Sequence, residues 1–401
     1  MTQNSHTDNP NSAEAAIDLD RFADIRPYHD DEVKAVLARL AHDSELLDAI
    51  TRYRLPRLAR FAGPVARAIV SFRLQREMRG VSSIRDFQLR IADYMARMIS
   101  QTTRGFSVEG LDRLSKDQAY LFIGNHRDIA LDPAFVNYAL HVEGHDTVRI
   151  AIGDNLLQKP FVTDLMRLNK SFIVPRSAKG KRAMLAAYQS LSGYIRHSIT
   201  DDNHSVWLAQ REGRAKDGID RTDSAIVKML CMARRQEEAD SDIGRAVREL
   251  KIVPVSISYE FDPCDLNKAR ELHAKETDGR YQKVEFEDIF SIVAGIVGDK
   301  GRVKLAFGTP LDADFETPDA VAEEIDRQVL EHYPLFPSHQ LALAATGLAP
   351  DLVDLSAVTP EDRERFESRL AKVPEALRHW WLMQYANPIL NRAGRAERRD
   401  D

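Results

Sequence analysis

The chain has 401 residues, 43% hydrophobic and 29% charged, with a formal net charge of −6 from 56 basic and 62 acidic side chains. That length allows two or three domains, the apolar fraction is ordinary for a globular protein, and the slight acidity gives no footing for nucleic acid. The two cysteines, Cys231 and Cys264, stand far apart without metal-ligand spacing, which argues against zinc and fits a reducing cytosol.

Residues 1–27 begin MTQNSHTDNPNSAEAAIDLD, polar and acidic without the apolar core of a signal peptide, and read as a disordered tail. Residues 28–105 are helical by pattern. Within them, TRYRLPRLARFAGPVARAIVSFRLQREMRG (51–80) sets eight arginines against a single acidic residue, Glu77. Phe61, Val65, Ile69 and Phe72 recur at helical spacing and form one apolar stripe, interrupted by Pro56 and Pro64. Arginines beside such a stripe suit an interfacial helix on an anionic membrane. The plainer alternative is a helix packed on its own domain.

From 106 the pattern changes to short apolar runs alternating with helical stretches. Strands are expected at 119–124, 148–153, 171–176, 205–210, 252–260 and 302–307, with helices at 133–141, 181–197 and 222–249 between them. This alternation predicts an α/β domain over 106–335, with a mixed, largely parallel sheet flanked by helices. RRQEEADSDIGR (234–245) reads as a solvent-facing turn and 267–288 as a surface insertion. Residues 336–401 return to helix, so the domain carries helical N- and C-terminal additions. Trp380 and Trp381 beside the basic tail suit either a lipid headgroup layer or the cap of a domain core. No run reaches the roughly 18–20 apolar residues of a membrane span. The longest, IFSIVAGIVG (289–298), reads as a core helix, so a cytoplasmic protein is expected, lying peripherally on the inner face of a membrane.

Chemistry concentrates in GNHRDIALDPAF (124–135), between an expected strand and an expected helix, where α/β proteins place their ligands. A kinase reading of His126-Arg127-Asp128 fails. The metal-binding asparagine five residues past the aspartate is replaced by Pro133, and neither a glycine-rich loop nor Asp-Phe-Gly is present. An acyl-transfer reading asks for a general base whose second ring nitrogen is held by a carboxylate. His126 supplies the base. Asp132, expected as the helix N-cap before Pro133, and Asp128 are both candidates for the carboxylate. Further on, SFIVPRSAKGKR puts Arg176 just past a strand, followed by Lys179, Lys181 and Arg182. WLAQREGRAKDG delivers Arg211, Glu212, Gly213, Arg214 and Lys216. Glycine admits close backbone approach and arginine forks match phosphate oxygens, so both loops suit an anion.

Four segments in this order, NHRDIALD, SFIVPR, REGRAKDG and IVPVSISYE, resemble the conserved blocks of the glycerolipid acyltransferases, which acylate glycerol 3-phosphate or 1-acylglycerol 3-phosphate (lysophosphatidate). VKLAFGTPLD resembles the strand and turn that follow them, so the likeness covers residues 106–315. It implies a glycerolphosphate acyltransferase-like fold and an enzyme of phospholipid biosynthesis, with acyl-CoA or acyl carrier protein as co-substrate and no metal or bound cofactor. It further implies His126 as general base, and Arg176, Gly213, Arg214 and Lys216 at the acceptor phosphate. Asn125 suits either a turn or the oxyanion environment, and Pro254, Val255 and Ile257 either the acyl side or core strand. Two departures stand out. The first block is His-x5-Asp, not His-x4-Asp, with Leu131 where the family has aspartate. Glu212 precedes Arg214 by two residues instead of three, with Arg211 in the earlier place. These changes motivate an alternative, a non-catalytic lipid- or acyl-carrier-binding protein that keeps the fold.

Overall fold

A computed structural model describes residues 21–237, 242–284 and 286–394. The chain divides into two compact units: Met1–Leu89 with Arg149–Tyr194, and Arg90–Val148 with Ile195–Asp401.

In the first unit the helices Asp30–Leu40, Ser44–Arg54, Pro56–Phe61 and Gly63–Glu77 follow one another. Proline at each of the last two helix starts occupies a position whose N–H has no intrahelical partner, which is why Pro56 and Pro64 begin helices here instead of breaking one. Ala66 and Val70 turn inward from Gly63–Glu77, while Phe61, Val65, Ile69 and Phe72 stay exposed, Phe61 by 84% and Phe72 by 65%. The unit also holds two parallel strands, β3 (Arg149–Gly153) and β4 (Ser171–Val174). Most of the tail read over 1–27 lies outside the described residues, but from Arg21 onward the chain is packed. Phe22 and Ile25 are buried, Phe22 meets Tyr194 edge-on at 5.2 Å, and Ile25 O accepts from Ile173 N.

The second unit holds five strands in the order β1 (Phe106–Glu109), β7 (Val303–Phe307), β6 (Ile252–Tyr259), β2 (Leu121–Gly124), β5 (Val206–Ala209). All neighbours are parallel except β6 and β7. β2 and β6 are buried along their whole length, as befits central strands covered on both faces. Pro254 sits in central β6 where its pairing with β7 ends, its carbonyl accepting from Gly308 N just past the last paired residue of β7. β1 is the strand the sequence did not announce.

Two expectations change, and the alternatives for Trp380 and Trp381 resolve to the domain core. Residues 267–288 are no loose insertion: Asp265–Asp278 is a helix with Lys268, Ala269 and Glu271 buried. Trp380 and Trp381 lie in a core cluster with Phe261, Phe366 and Tyr385, Trp381 fully buried, so they are not a headgroup anchor. IFSIVAGIVG is helical over Glu287–Val297, but it is not a core helix. Small Ser291 and Gly295 face inward while Phe290 is 62% exposed and Ile289, Val293, Ile296 and Val297 are exposed with it. Of the turn read within 234–245, residues 238–241 lie outside the described residues. Among the described residues no helix is long and apolar enough to cross a membrane.

Candidate active site

The site is assembled by strand register. β2 pairs in parallel with β5, Gly124 opposite Ala209, so the segments leaving both strands emerge side by side. β2 also pairs with β6, Gly124 opposite Val255, and β6 runs on to Tyr259, beneath the loop that follows β2. Asn125 fixes this loop. Its amide accepts from Ile257 N at 2.8 Å and donates to Ile257 O and to Asp220. With those bonds made and no exposure, Asn125 is a brace and not an oxyanion donor.

His126 Nδ1 lies 2.8 Å from Asp132 Oδ2, with the imidazole partly open to solvent and Asp132 buried. Asp132 also accepts from the backbone N–H of Arg127 (2.7 Å) and of Asp128 (2.9 Å), and its other oxygen accepts from Tyr259 Oη at 2.8 Å. Four donors thus converge on one buried carboxylate. A carboxylate here accepts from Nδ1–H and leaves Nε2 as the ring's proton acceptor. Trp207 packs edge-on against the imidazole, ring centroids 5.9 Å apart. Burial first, then the charge of Asp132, pushes the Tyr259 hydroxyl well above its ordinary value, which keeps it a donor. Sequence reasoning gave Tyr259 no role. The signal was available in β6 alternation, which puts Tyr259 on the same face as Val255 and Ile257.

Asp128 turns the other way. Its Oδ1 accepts from the N–H groups of Ala130 and Leu131, which holds the turn ahead of the helix; the helix starts at Leu131 with Ala130 at its N-cap, so Asp132 lies inside the first turn and is not the cap expected of it. Burial, then the neighbouring Asp132 charge, raises Asp128 to about 6. Arg127, between the two, is buried against Asp220 at 2.6 Å and donates to the carbonyls of Ala215 and Gly218.

Those carbonyls belong to the loop after β5. Ala215 N donates to His126 O at 2.8 Å, so Arg214 lies close along the chain to the His126 loop. Arg214 makes no hydrogen bond or ion pair with the described residues. Gly213 before it adopts φ +75°, a left-handed turn with open space where a side chain would point. Lys216, by contrast, is ion-paired with Glu271 and largely buried, and burial lowers its affinity for a proton. It lines a cavity of about 20 Å³ behind the loop, shared with Arg127, Lys268, Tyr333 and His339. Burial, then the Arg127 charge, pushes His339 down to about 3 and keeps it neutral. Glu212 is exposed. Arg176 belongs to the other unit, exposed after β4. Its N–H and that of Ser177 donate to Asp154, and Lys179, Lys181 and Arg182 beyond it are exposed. Val255 and Ile257 are buried core. Cys264 is buried and pushed up to about 12, chiefly by burial, which makes it a poor nucleophile. No group of three or more His, Cys, Asp or Glu fit to hold a metal occurs among the described residues.

Residues 105–258 match the family model named Acyltransferase. The likeness to that family covers this segment, under half of the chain. No curated protein sequence gives a significant match. Among solved structures, one similar chain is the 1-acyl-sn-glycerophosphate (LPA) acyltransferase PlsC from Thermotoga maritima. It is 15% identical over 71% of this chain and 92% of that one, with a TM-score of 0.37, too loose a superposition to carry positions across.

The matched segment is braced from outside it. The C-terminal helix Arg378–Arg392 reaches the loop after β5, Asn387 donating to Asp217 O at 2.8 Å and Asn391 to Asp220 O at 2.9 Å. Gly218 sits against this helix at φ +86°, and a Cβ there would fall 2.3 Å from Gln384 O. Gly218→Ala is therefore expected to destabilise by about 1–3 kcal/mol or more, through backbone strain and a clash that no side-chain rotation relieves. Denaturant midpoints of variant and parent check this; equal midpoints would contradict the packing described.

Proposed function

We propose that the protein is an O-acyltransferase of phospholipid biosynthesis. It moves a fatty acyl group from acyl-CoA or acyl carrier protein to a hydroxyl of a glycerol-phosphate acceptor, 1-acylglycerol 3-phosphate or glycerol 3-phosphate. The observation that carries this reading is the His126–Asp132 pair, its carboxylate saturated with donors and its ring partly open, beside Arg214, which makes no hydrogen bond or ion pair among the described residues. His126 Nε2 takes the acceptor's hydroxyl proton as the oxygen attacks the thioester carbonyl. The carbon–sulfur bond then breaks, and the proton passes to the departing thiol. A base so placed is worth about 10²–10⁴-fold in rate. No metal or bound cofactor enters; the thioester is a co-substrate.

In this reading Arg214 grips the acceptor phosphate and Gly213 lets the backbone approach. Lys216 joins them on releasing Glu271, and Arg176 is a further candidate. Arg214→Ala is expected to raise KM for the phosphate acceptor about 10–100-fold, the worth of one charge-assisted bond, with a smaller effect on kcat. Peripheral contact with anionic membrane is supported by the exposed stripe Phe61, Val65, Ile69 and Phe72 among arginines. The test offers labelled acyl-CoA and acyl carrier protein with glycerol 3-phosphate and 1-acylglycerol 3-phosphate in parallel. Product from one acceptor names the branch. No product from any pairing, in folded protein that binds lysophosphatidate, would favour the binding-protein alternative.

A further inference from the structure

The helix Glu287–Val297 is built inside out. Its buried positions are Ser291 and Gly295, whereas Phe286, Ile289, Phe290, Val293, Ile296 and Val297 recur at spacings of three, one, three, three and one and are all exposed. With 3.6 residues per turn these fall along one side of the helix. Exposed Val284 stands just before it in sequence. An apolar stripe of this extent facing solvent marks an interaction surface.

The inward side explains the inversion. Gly295 lies against the loop that carries His126, and a Cβ on it would fall 2.4 Å from Asp128 Oδ2. Only a small residue lets the helix approach that loop, so the bulky residues are left on the far side. The stripe thus lies across one helix from the His126 loop.

We infer that this face is a lipid-docking surface that settles into the acyl layer of a bilayer and brings the His126 loop to its lipid substrate. The inference rests in part on the acyltransferase reading. Two observations select lipid as the occupant. Residues 289–298 hold no charged side chain, so the face has nothing to pair with an oppositely charged protein but matches hydrocarbon. By composition, the residues outside those described offer little apolar matter to match it: 238–241, Glu285 and 395–401 contain only alanine as an apolar residue, and 1–20 are mainly polar. This contact is apolar, unlike that of the arginine-rich stripe at 61–72, and so should resist salt.

The test is flotation of the full chain with vesicles of phosphatidylcholine, and of phosphatidylcholine with phosphatidylglycerol, at low and high salt. Phe290→Asp and the milder Phe290→Ser are compared with the parent. Both change an exposed position, so denaturation midpoints are expected to stay put. Vesicle binding by Phe290→Asp is expected to fall about tenfold or more at high salt, the worth of withdrawing one large apolar side chain from lipid. Acyl transfer to 1-acylglycerol 3-phosphate presented in vesicles should fall with it, while transfer from butyryl-CoA to soluble glycerol 3-phosphate should not. The flotation arm needs no turnover, so it stands even if the chain transfers no acyl group. Equal binding by parent and variants, or no binding by the parent, would overturn the inference. So would a parent dimer that Phe290→Asp splits without loss of vesicle binding, which would assign the face to a second copy of the chain.

Discussion

His126→Ala is expected to lower kcat for acyl transfer about 10²–10⁴-fold while leaving the fold and acceptor affinity nearly unchanged. The ring is partly exposed, its hydrogen bond among the described residues goes to Asp132, and the backbone bond from Ala215 N to His126 O survives truncation. Asp132 keeps its donors from Arg127 N, Asp128 N and Tyr259, so the loop holds its shape. Initial rates at saturating donor and acceptor, with a denaturant midpoint for each protein, separate chemistry from stability. A loss confined to KM would contradict the assigned role.

The second large effect is a contrast between neighbouring carboxylates. Asp132→Asn removes the charge that steadies an imidazolium and is expected to cost about 10²–10⁴ in kcat. Asp128→Asn keeps an oxygen for the Ala130 and Leu131 N–H groups and is expected to leave kcat within about threefold. Its signature lies in stability. Asp128 is raised to about 6 by burial and by Asp132, above its value in the unfolded chain. The folded state therefore holds that proton longer. This contribution is fully present below pH 4 and is lost as pH rises through about 6. Asp128→Asn carries no such loss. Relative to the parent it should gain stability from pH 4 to 6 and hold the gain above, by about 1–3 kcal/mol. Urea midpoints at pH 5 and 7.5 check this; a variant destabilised more at pH 7.5 than at pH 5 would refute it.

Much of this architecture is legible in the sequence, and the omissions have physical reasons. Six strands announce themselves as apolar runs bounded by polar segments. β1 does not, because Phe-Ser-Val-Glu is a four-residue edge strand whose alternation is too short to register. Hydrophobicity gives IFSIVAGIVG its helix but not its direction. That depends on Gly295 meeting Asp128, a contact between segments more than 160 residues apart in sequence. His126 and its two candidate carboxylates are visible in one short motif, yet the choice between them turns on which aspartate faces the imidazole and which holds the turn before the helix. That is a matter of loop geometry. Lys216 reads as a phosphate ligand until Glu271, 55 residues on, takes its ammonium. The brace from Asn387 and Asn391 lies 170 residues from the carbonyls it holds, beyond any local pattern.

The most direct test of the account is single-turnover acyl transfer from labelled acyl-CoA or acyl carrier protein to 1-acylglycerol 3-phosphate and to glycerol 3-phosphate. Wild type and His126→Ala are compared at matched concentrations of folded protein. The account predicts product from wild type and a rate at least about 10²-fold lower in the variant. Equal rates from the two proteins would contradict it.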